Sequence, residues 1–254
     1  MLALVSAMHE EIAAVRDGLT DVTTREWGGR RFHVGGFHGT EVVVVFSRYG
    51  KVAAAVTTTQ LLAAFPVTSM IFSGVAGAVA PGLAIGDIVI GTELIQHDMD
   101  ASPLFARYEI PLLGKARFSP DPGLTARLAA AARDFLARDL ADHVAAADRE
   151  FFRITAPKVT EGLIASGDKF FASRDEVHEL RRRLPEVACV EMEGAAVAQV
   201  CEEYALPFAI VRTISDSADE QSVHDFPRFT HGIARQYSLG VLTRFLRESP
   251  LATA

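Results

Sequence analysis

The sequence has few cysteines, no excess of basic residues and no long apolar run, and each absence excludes a class of protein. Its two cysteines, Cys189 and Cys201, make no disulfide framework and lack the spacing of a zinc site, so we expect two buried thiols in a reducing compartment. Lysine and arginine number 25 against 32 aspartates and glutamates, which argues against a nucleic-acid-binding surface. No uncharged apolar stretch approaches the ~18 residues of a membrane helix, and the start of the chain lacks the features of a secretory signal. These absences predict a cytoplasmic protein with a small-molecule partner.

What the sequence does have is an alternation of short apolar segments and longer helical patterns over 254 residues. The pattern predicts strands at 2–6, 31–37, 41–47, 69–73, 87–97, 160–166 and 208–214, and helices at 51–65, 122–137, 174–183, 194–204 and 226–247. The glycine pairs 28–29 and 35–36 indicate an early hairpin, and residues 100–120 indicate a long functional loop. No linker divides the chain. We therefore expect a single α/β domain over residues 1–254, with three α/β/α layers around a mixed central sheet.

Three acidic residues follow strand-like segments that lie far apart in the sequence. Glu11 comes just after the first predicted strand, Glu193 precedes a predicted helix, and Asp216 comes just after the last predicted strand. An acidic residue at the start of a helix often only caps free N–H groups and complements the helix dipole. In α/β sheets, however, ligands bind beyond the carboxyl ends of the strands. We therefore expect the three carboxylates to converge on one ligand site.

Six short segments, in order along the chain, carry a more specific signal. They are SAMHEE (6–11), GVAG (74–77), PGLAIGDIV (81–89), SGDKFF (166–171), VEME (190–193) and RTISDSAD (212–219). The glycine turn alone is weak as a motif, whereas the ordered E-M-E and R-x-I-S-D segments are specific. From residue 1 to about residue 229 the chain resembles the 5′-methylthioadenosine/S-adenosylhomocysteine nucleosidases, whose fold is that of the nucleoside phosphorylases.

The resemblance implies a hydrolase that cleaves the N-glycosidic bond of an adenine nucleoside carrying a 5′-thioether. Such a reaction has an oxocarbenium-like transition state and needs a proton donor and an activated water. By resemblance, Asp216 is the general acid that protonates adenine N7, oriented by Ser215, and this role requires a raised pKa. Glu11 orients and deprotonates the water beside Arg212. Glu193 binds the ribose hydroxyls and stabilises the cationic ring.

The resemblance also assigns the residues that hold the substrate. Phe170 matches the residue that stacks on adenine, and the backbone of Phe171 matches the group that reads the base edge. Met192 matches a residue that packs against ribose, while Met8 and Phe226 match the lining of the 5′-substituent pocket. An apolar pocket there favours an alkylthio group over a hydroxyl or a phosphate. No metal and no organic cofactor is implied.

Two positions depart from the family pattern. The family's loop equivalent to residues 100–108 reaches the active site of a neighbouring subunit, which implies a homodimer with shared sites. Leu104 or Phe105 of one subunit would then close the 5′-pocket of the other, but this loop differs from the usual one, so the 5′-substituent stays open. Val75 lies where the family often has a serine near the water site, and valine neither donates nor accepts a hydrogen bond.

Three alternative functions remain at this stage. A phosphorolytic purine nucleoside phosphorylase would need a cationic phosphate site, for which Arg48 and Arg212 are candidates, although Glu11 beside the nucleophile would repel phosphate. A non-catalytic nucleoside-binding module is disfavoured by the presence of Glu11, Glu193 and Asp216 together. Related hydrolases act on aminodeoxyfutalosine or 5′-deoxyadenosine, so the sequence does not choose between sulfur (methionine) salvage and the synthesis of a quinone precursor.

Overall fold

The computed structural model describes residues 1–216 and 222–247, and of residues 222–224 it describes the backbone. Its strands are β1 (Leu2–Ser6), β2 (Thr20–Trp27), β3 (Arg30–Phe37), β4 (Thr40–Phe46), β5 (Ser69–Ala78), β6 (Ile88–Gln96), β7 (Arg117–Phe118), β8 (Val159–Ser166), β9 (Val187–Glu191) and β10 (Phe208–Asp216). Its helices are α1 (His9–Asp17), α2 (Lys51–Ala64), α3 (Pro122–Arg138), α4 (Leu140–His143), α5 (Ala146–Phe151), α6 (Arg174–Arg183), α7 (Gly194–Glu203), α8 (Ser222–Phe229) and α9 (Arg235–Arg247). A π-helical turn, Thr230–Ala234, joins α8 to α9.

The strands of the described residues form one mixed sheet in the order β10-β6-β8-β9-β5-β1-β4-β3-β2, with β7 beside β6. Strand β10 also pairs with β5 in parallel, so β5, β9, β8, β6 and β10 close into a ring. The expected α/β architecture with a mixed sheet is therefore confirmed. The ring closure is an additional feature that the alternation of strands and helices could not show.

Alternate side chains of the sheet pack into cores on its two faces. In β1, Leu2 and Leu4 belong to a cluster with residues of α1, α3 and α9, while Ala3 and Val5 belong to a cluster with residues of α2 and α7. Successive side chains of a strand point to opposite faces, so a strand covered on both sides is apolar throughout. This double burial explains why β1 reads as an unbroken apolar segment.

The register of three parallel strands brings their carboxyl ends to one edge of the sheet. Ser6 at the end of β1 pairs with Ser73 of β5, and Arg212 of β10 pairs with Gly74 of β5. Strand β9 runs antiparallel to the end of β5, where Val190 pairs with Gly77. The residues that follow β1, β9 and β10 in sequence therefore meet around the end of β5, as expected for a ligand site in an open sheet.

Several predicted elements differ from the structure. The hairpin turn between β2 and β3 is made by Gly28 and Gly29, both with positive φ, while Gly35 and Gly36 lie inside β3, within the strand predicted at 31–37. The last helical segment begins at Ser222 and is interrupted by the π-helical turn. The elements α1, β2, β7, α4, α5 and β9 were not predicted. None of the helices in the described part of the chain is both long and apolar enough to cross a membrane.

Candidate active site

A cavity of about 440 Å³ opens at the edge of the sheet where β1, β5, β9 and β10 end. This volume lies within the range of small-ligand sites, ~300–1,000 Å³. Its lining is mostly apolar, with four acidic groups, one arginine and one lysine. The lining residues are Ala7, Met8, Glu11, Tyr49, Gly74, Val75, Ala76, Gly77, Lys169, Phe170, Phe171, Val190, Glu191, Met192, Glu193, Arg212, Ser215, Asp216 and Phe226.

The first of the acidic groups, Glu11, is held by three hydrogen-bond donors from three directions. The Ser6 hydroxyl and the Met8 N–H (3.0 Å) donate to Oε2, and the Val75 N–H (3.0 Å) donates to Oε1. The bond from Met8 is the helix-start contact of a third-position glutamate reaching back to its N-cap. Burial raises the pKa of Glu11, while the Ser6 hydroxyl and the charge of Arg212 act against that rise. A raised pKa strengthens the carboxylate as a base, and the three donors hold it in a fixed position.

Glycine at position 74 permits this arrangement. A Cβ atom there would lie 3.1 Å from Nη1 of Arg212 and 3.2 Å from Oε1 of Glu11, which is closer than side-chain carbons normally approach. The absence of a side chain therefore lets the guanidinium and the carboxylate approach the end of β5 together.

The second acidic group, Glu191, pairs with Arg212 in a buried ion pair. Oε2 of Glu191 accepts from Nη2 (2.6 Å) and Nε (3.2 Å) of Arg212, whose side chain is 1% exposed. Glu191 also accepts the N–H groups of Glu193 (3.2 Å) and Gly194 (2.8 Å) at the start of α7. The Ser166 hydroxyl donates to Glu191 as well. Burial alone would lower the pKa of Arg212, but the paired carboxylate holds it raised.

The third acidic group, Glu193, does not cap its own helix. Its Oε1 accepts the N–H of Gly50 (2.7 Å), which directly precedes α2, and its side chain makes no capping bond in α7. Burial, followed by the charge of nearby Glu191, raises the pKa of Glu193 to about 8. The capping interpretation of an acidic residue at a helix start therefore applies to Glu191 and not to Glu193.

The fourth acidic group, Asp216, ends β10 at a local irregularity. The register between β10 and β5 shifts between Ile214 and Asp216, so that Ser215 bulges and Asp216 pairs with Gly77. The Ser215 hydroxyl donates to Oδ2 of Asp216 (2.6 Å), and both residues are buried. The bulge directs two consecutive polar side chains of a buried strand to the cavity.

Aromatic and thioether side chains form the apolar wall of the cavity. Phe170 and Phe226 meet edge to face, with ring centroids 6.1 Å apart, and Phe170 remains 42% exposed. Phe171 is buried and packs edge-on against His97 at 5.4 Å. Met8 and Met192 complete this wall. A planar heterocycle could stack on Phe170, whose ring is still accessible.

A ring of hydrogen bonds fixes the segment that carries Phe170. The N–H of Lys51 donates to Oδ1 of Asp168 (2.7 Å), and the N–H of Asp168 donates to Oδ2 of Asp98 (3.0 Å). The ammonium of Lys51 closes the ring on Oδ1 of Asp98 at 2.6 Å. The start of α2 thus contacts both walls of the cavity, through Gly50 to Glu193 and through Lys51 to Asp168.

The site can therefore supply a proton donor, a base and a negative charge around one small ligand. Glu11, Glu193 and Asp216 come from three distant parts of the chain and line the same cavity. Within residues 1–216 and 222–247, no group of three or more His, Cys, Asp or Glu side chains is arranged to hold a metal ion.

Comparison with known proteins identifies the family. Residues 1–247 match the model of the Phosphorylase superfamily. The 5′-methylthioadenosine/S-adenosylhomocysteine nucleosidase of Chromohalobacter salexigens is 36% identical over 242 residues, which cover 94% of each chain. The chain belongs to this nucleosidase family.

Solved structures show the same relationship. The nucleosidase of Neisseria meningitidis in complex with methylthio-immucillin-A superposes with a TM-score of 0.84 and 33% identity, covering 98% of this chain and 99% of that chain. The native futalosine hydrolase of Helicobacter pylori superposes with a TM-score of 0.81 and 32% identity, covering 98% of this chain and 97% of that chain. The nucleosidase fold is thus common to enzymes named for different nucleosides.

Most residues predicted to form the nucleosidase site lie together in the structure. Eleven of the thirteen line the cavity, namely Met8, Glu11, Val75, Phe170, Phe171, Met192, Glu193, Arg212, Ser215, Asp216 and Phe226. Leu104 and Phe105 do not line it, and Leu104 is 85% exposed. A role in a neighbouring subunit's site stays a prediction for both. Of the last motif, residues 217–219 lie outside the described residues.

Sequence reasoning missed Glu191, Tyr49 and the support from α2. Two glutamates flank Met192, and sequence alone does not say which one pairs with the arginine and which one faces the ligand. The position of Arg212 inside the buried strand β10 is the signal that could have indicated Glu191, because a buried arginine requires a buried acidic partner nearby. Tyr49 lines the cavity from the turn before α2, and nothing in its sequence context marks it.

Proposed function

We propose that this enzyme hydrolyses the N-glycosidic bond of 5′-methylthioadenosine and S-adenosylhomocysteine, releasing adenine and the 5-thioribose sugar. The observation that carries the proposal is the convergence of Glu11, Glu193 and Asp216 on one apolar cavity. The names of the relatives and of the solved structures support the same substrate class.

In the proposed reaction the C1′–N9 bond breaks while a proton passes from Asp216 to adenine N7. The Ser215 hydroxyl, 2.6 Å from Oδ2 of Asp216, supports the orientation of that carboxyl group. Glu193 accepts hydrogen bonds from the ribose hydroxyls, and the developing positive charge of the ring favours its ionised form over the neutral form that burial favours in the ligand-free protein. The ionised group in turn stabilises the ribosyl cation. Water then attacks C1′ and gives its proton to Glu11. The oxygen of that water is positioned between Glu11 and Arg212.

In the proposed complex, the residues of the apolar wall bind the three parts of the substrate. Phe170 stacks on adenine, and the backbone of Phe171 reads the base edge. Met192 packs against the ribose, and Met8 and Phe226 surround the 5′-substituent. An alkylthio group transfers favourably to such surroundings, at about 25 cal/mol per Å² of apolar surface removed from water, whereas a phosphate does not.

Phosphorolysis is the rival reaction. The two cations proposed to bind phosphate, Arg48 and Arg212, each contact another group of the protein. Arg212 is paired with Glu191, while Nη2 of Arg48 donates to the Gly29 carbonyl at 2.5 Å and Arg48 does not line the cavity. Either cation would have to leave its partner to bind phosphate beside three carboxylates. The test is adenine release from 5′-methylthioadenosine in phosphate-free buffer. Hydrolysis predicts an unchanged rate when phosphate is added, and a strict requirement for phosphate would refute it.

Three broader proposals accompany this function. The continuity of the sheet from β1 to β10 supports a single domain over residues 1–254. The free, buried thiols of Cys189 and Cys201 support a cytoplasmic location. The exposed apolar side chains Leu104 and Leu112 support a homodimer in which Leu104 or Phe105 closes the site of the other subunit.

The choice of 5′-substituent is the part of the proposal that needs a substrate panel. One structural neighbour is named as a futalosine hydrolase, and aminodeoxyfutalosine and 5′-deoxyadenosine are the alternatives to the thioether substrates. Adenine release from each nucleoside at equal concentration would rank them. We expect 5′-methylthioadenosine and S-adenosylhomocysteine to rank first, because the cavity is mostly apolar.

A further inference from the structure

The sequence around Glu11 contains a buried hydroxyl group that the proposed reaction does not use. Ser6, the last residue of β1, is fully buried and does not line the cavity. Its hydroxyl donates to Oε2 of Glu11. Because Ser6 does not line the cavity, its hydroxyl would affect the reaction through the Glu11 carboxylate that it contacts.

We propose that Ser6 is a positioning residue whose hydroxyl holds the Glu11 carboxylate in place for activation of the attacking water. This inference rests on the proposed function of Glu11. It adds a residue that lies outside the cavity and acts on the reaction through one hydrogen bond.

The geometry around Glu11 shows why this bond matters. The carboxylate has two backbone donors, Met8 N–H on Oε2 and Val75 N–H on Oε1, both at 3.0 Å. The Val75 side chain offers no hydroxyl, although it belongs to the cavity lining. Ser6 is therefore the side-chain hydrogen-bond donor among the three groups that hold Glu11, and it does not line the cavity.

Other charged groups also act on Glu11, and their effects oppose one another. Arg212 of β10 favours the ionised form, whereas Glu193 at the start of α7 disfavours it. Tyr49, before α2, and Glu10, in α1, complete the set of titratable neighbours, because the charges of Glu10 and Glu11 both raise the pKa of Tyr49. Burial dominates and raises the pKa of Glu11, and the Ser6 hydroxyl is the strongest of the groups that limit this rise.

The chain offers a matched control in Ser73. It pairs directly with Ser6 across the parallel strands β1 and β5, so the two side chains share a face of the sheet. Ser73 is also buried, but its hydroxyl has no hydrogen-bond partner among the described residues. Loss of either hydroxyl removes one buried oxygen atom from the same layer, and only one of the two contacts Glu11.

The experiment measures kcat/KM for adenine release against pH in the wild type, Ser6→Ala and Ser73→Ala. Loss of the Ser6 hydroxyl should lower the rate about tenfold at neutral pH and move the acid limb of the profile upward by about one pH unit, with recovery at high pH. Ser73→Ala should follow the wild type. Ser6→Thr, which keeps the hydroxyl, should keep the wild-type acid limb, and Ser6→Gly replaces Ser6→Ala if alanine prevents folding.

A second measurement separates this inference from the proposed function. The titration of Glu11, followed by carbon-13 NMR of the labelled carboxyl group and assigned with Glu11→Gln, needs no turnover. An upward shift in Ser6→Ala but not in Ser73→Ala supports the inference even if the substrate has been assigned wrongly. Absence of adenine release by the wild type would refute the proposed function alone. Equal Glu11 titration in the wild type and Ser6→Ala, or an equal shift in both serine variants, would overturn the role of Ser6.

Discussion

At the scale of single residues, the main feature of the site is that several carboxyl groups are buried within one small volume. Each is stabilised differently, Glu11 by three hydrogen-bond donors, Glu191 by the Arg212 guanidinium, and Glu193 by a single backbone N–H. A buried charge without enough partners shifts its pKa instead. Glu193 accepts one backbone N–H, and its pKa is raised to about 8.

The raised pKa of Glu193 predicts that removal of its carboxyl group increases stability at alkaline pH and decreases turnover. Because the folded pKa is raised from 4.5 to about 8, the contribution of the protonated group to stability is complete below about pH 4.5 and is lost as the pH rises through 8. Glu193→Gln should therefore melt above the ligand-free wild type at alkaline pH, by on the order of 5 °C. It should also lose about two to three orders of magnitude in kcat, because the negative charge facing the ribose is gone.

Thermal unfolding of both proteins at pH 5 and at pH 9, without ligand, checks this expectation. The difference in Tm should grow with pH. A difference in Tm that is the same at both pH values, or a variant less stable than the wild type at pH 9, would show that the ionised Glu193 carboxylate does not destabilise the fold.

Residue identities at strand ends were predictable, but their partners were not. Glu11, Glu193 and Asp216 could be selected because acidic residues after apolar strands are unusual unless a ligand or a helix start accounts for them. Glu191 and Glu193 are two residues apart, and only the structure shows that Glu191 caps α7 while Glu193 reaches the start of α2. The partner of Glu193 is 143 residues away in sequence, whereas those of Glu191 are nearby, so the sequence does not show which glutamate takes which role.

At the scale of elements, the buried pair of Glu191 and Arg212 links β9 to β10 and fixes the start of α7 at the same time. The two strands are not neighbours in the ring, since β5 lies between them. The pair therefore ties together elements that backbone hydrogen bonds do not join. Its geometry matters because the walls of the cavity are built on both strands.

Breaking this pair should destabilise the fold strongly. Glu191→Gln leaves the Arg212 guanidinium buried without its counter-charge, at a cost of about 3 kcal/mol, which corresponds to a decrease in Tm of roughly 6–12 °C. Glu186→Gln is the control, because it removes an exposed partner of Arg117 and should cost less than about 0.5 kcal/mol. Urea unfolding gives both values. Equal small effects would mean that the buried pair is not part of the framework of the site.

Elements with strong apolar patterns were predicted well, and those set by tertiary contacts were not. The helix α1 begins at His9 with Glu10 and Glu11, a polar start that reads as a loop until Glu11 is seen to reach back to the Met8 N–H. Strand β2 is exposed along its whole length and lacks alternation. Strand β9 has only five residues, and its extended conformation is stabilised by pairing with β8 and with the end of β5.

At the scale of the whole molecule, the homodimer proposal concerns the exposed apolar surface that a second subunit would cover. Leu104 and Leu112 are strongly exposed in the loop that follows β6, and Val52 and Val56 are exposed on α2. The ion pair between Lys51 and Asp98 joins the start of that helix to the start of that loop. The exposed apolar side chains therefore lie on two segments that are tied together beside the cavity.

The homodimer proposal predicts a specific effect of one loop residue. Light scattering should give twice the monomer mass for the wild type, and Leu104→Asp should raise KM for 5′-methylthioadenosine about tenfold, because an apolar contact with the 5′-group of the other site is lost. Val22→Asp, on the exposed strand β2, should leave KM unchanged. A monomeric wild type with full activity would contradict the shared site.

The convergence of three carboxylates is the central claim, and it is tested most directly by separating binding from turnover. Asp216→Asn and Glu11→Gln keep the shape of each side chain while removing the transferable proton or the base. The measurement is calorimetric binding of 5′-methylthioadenosine alongside adenine release, for both variants and the wild type. We expect binding within about tenfold of the wild type's apparent affinity and a loss of turnover of about two to four orders of magnitude. Near wild-type turnover in either variant would contradict the account.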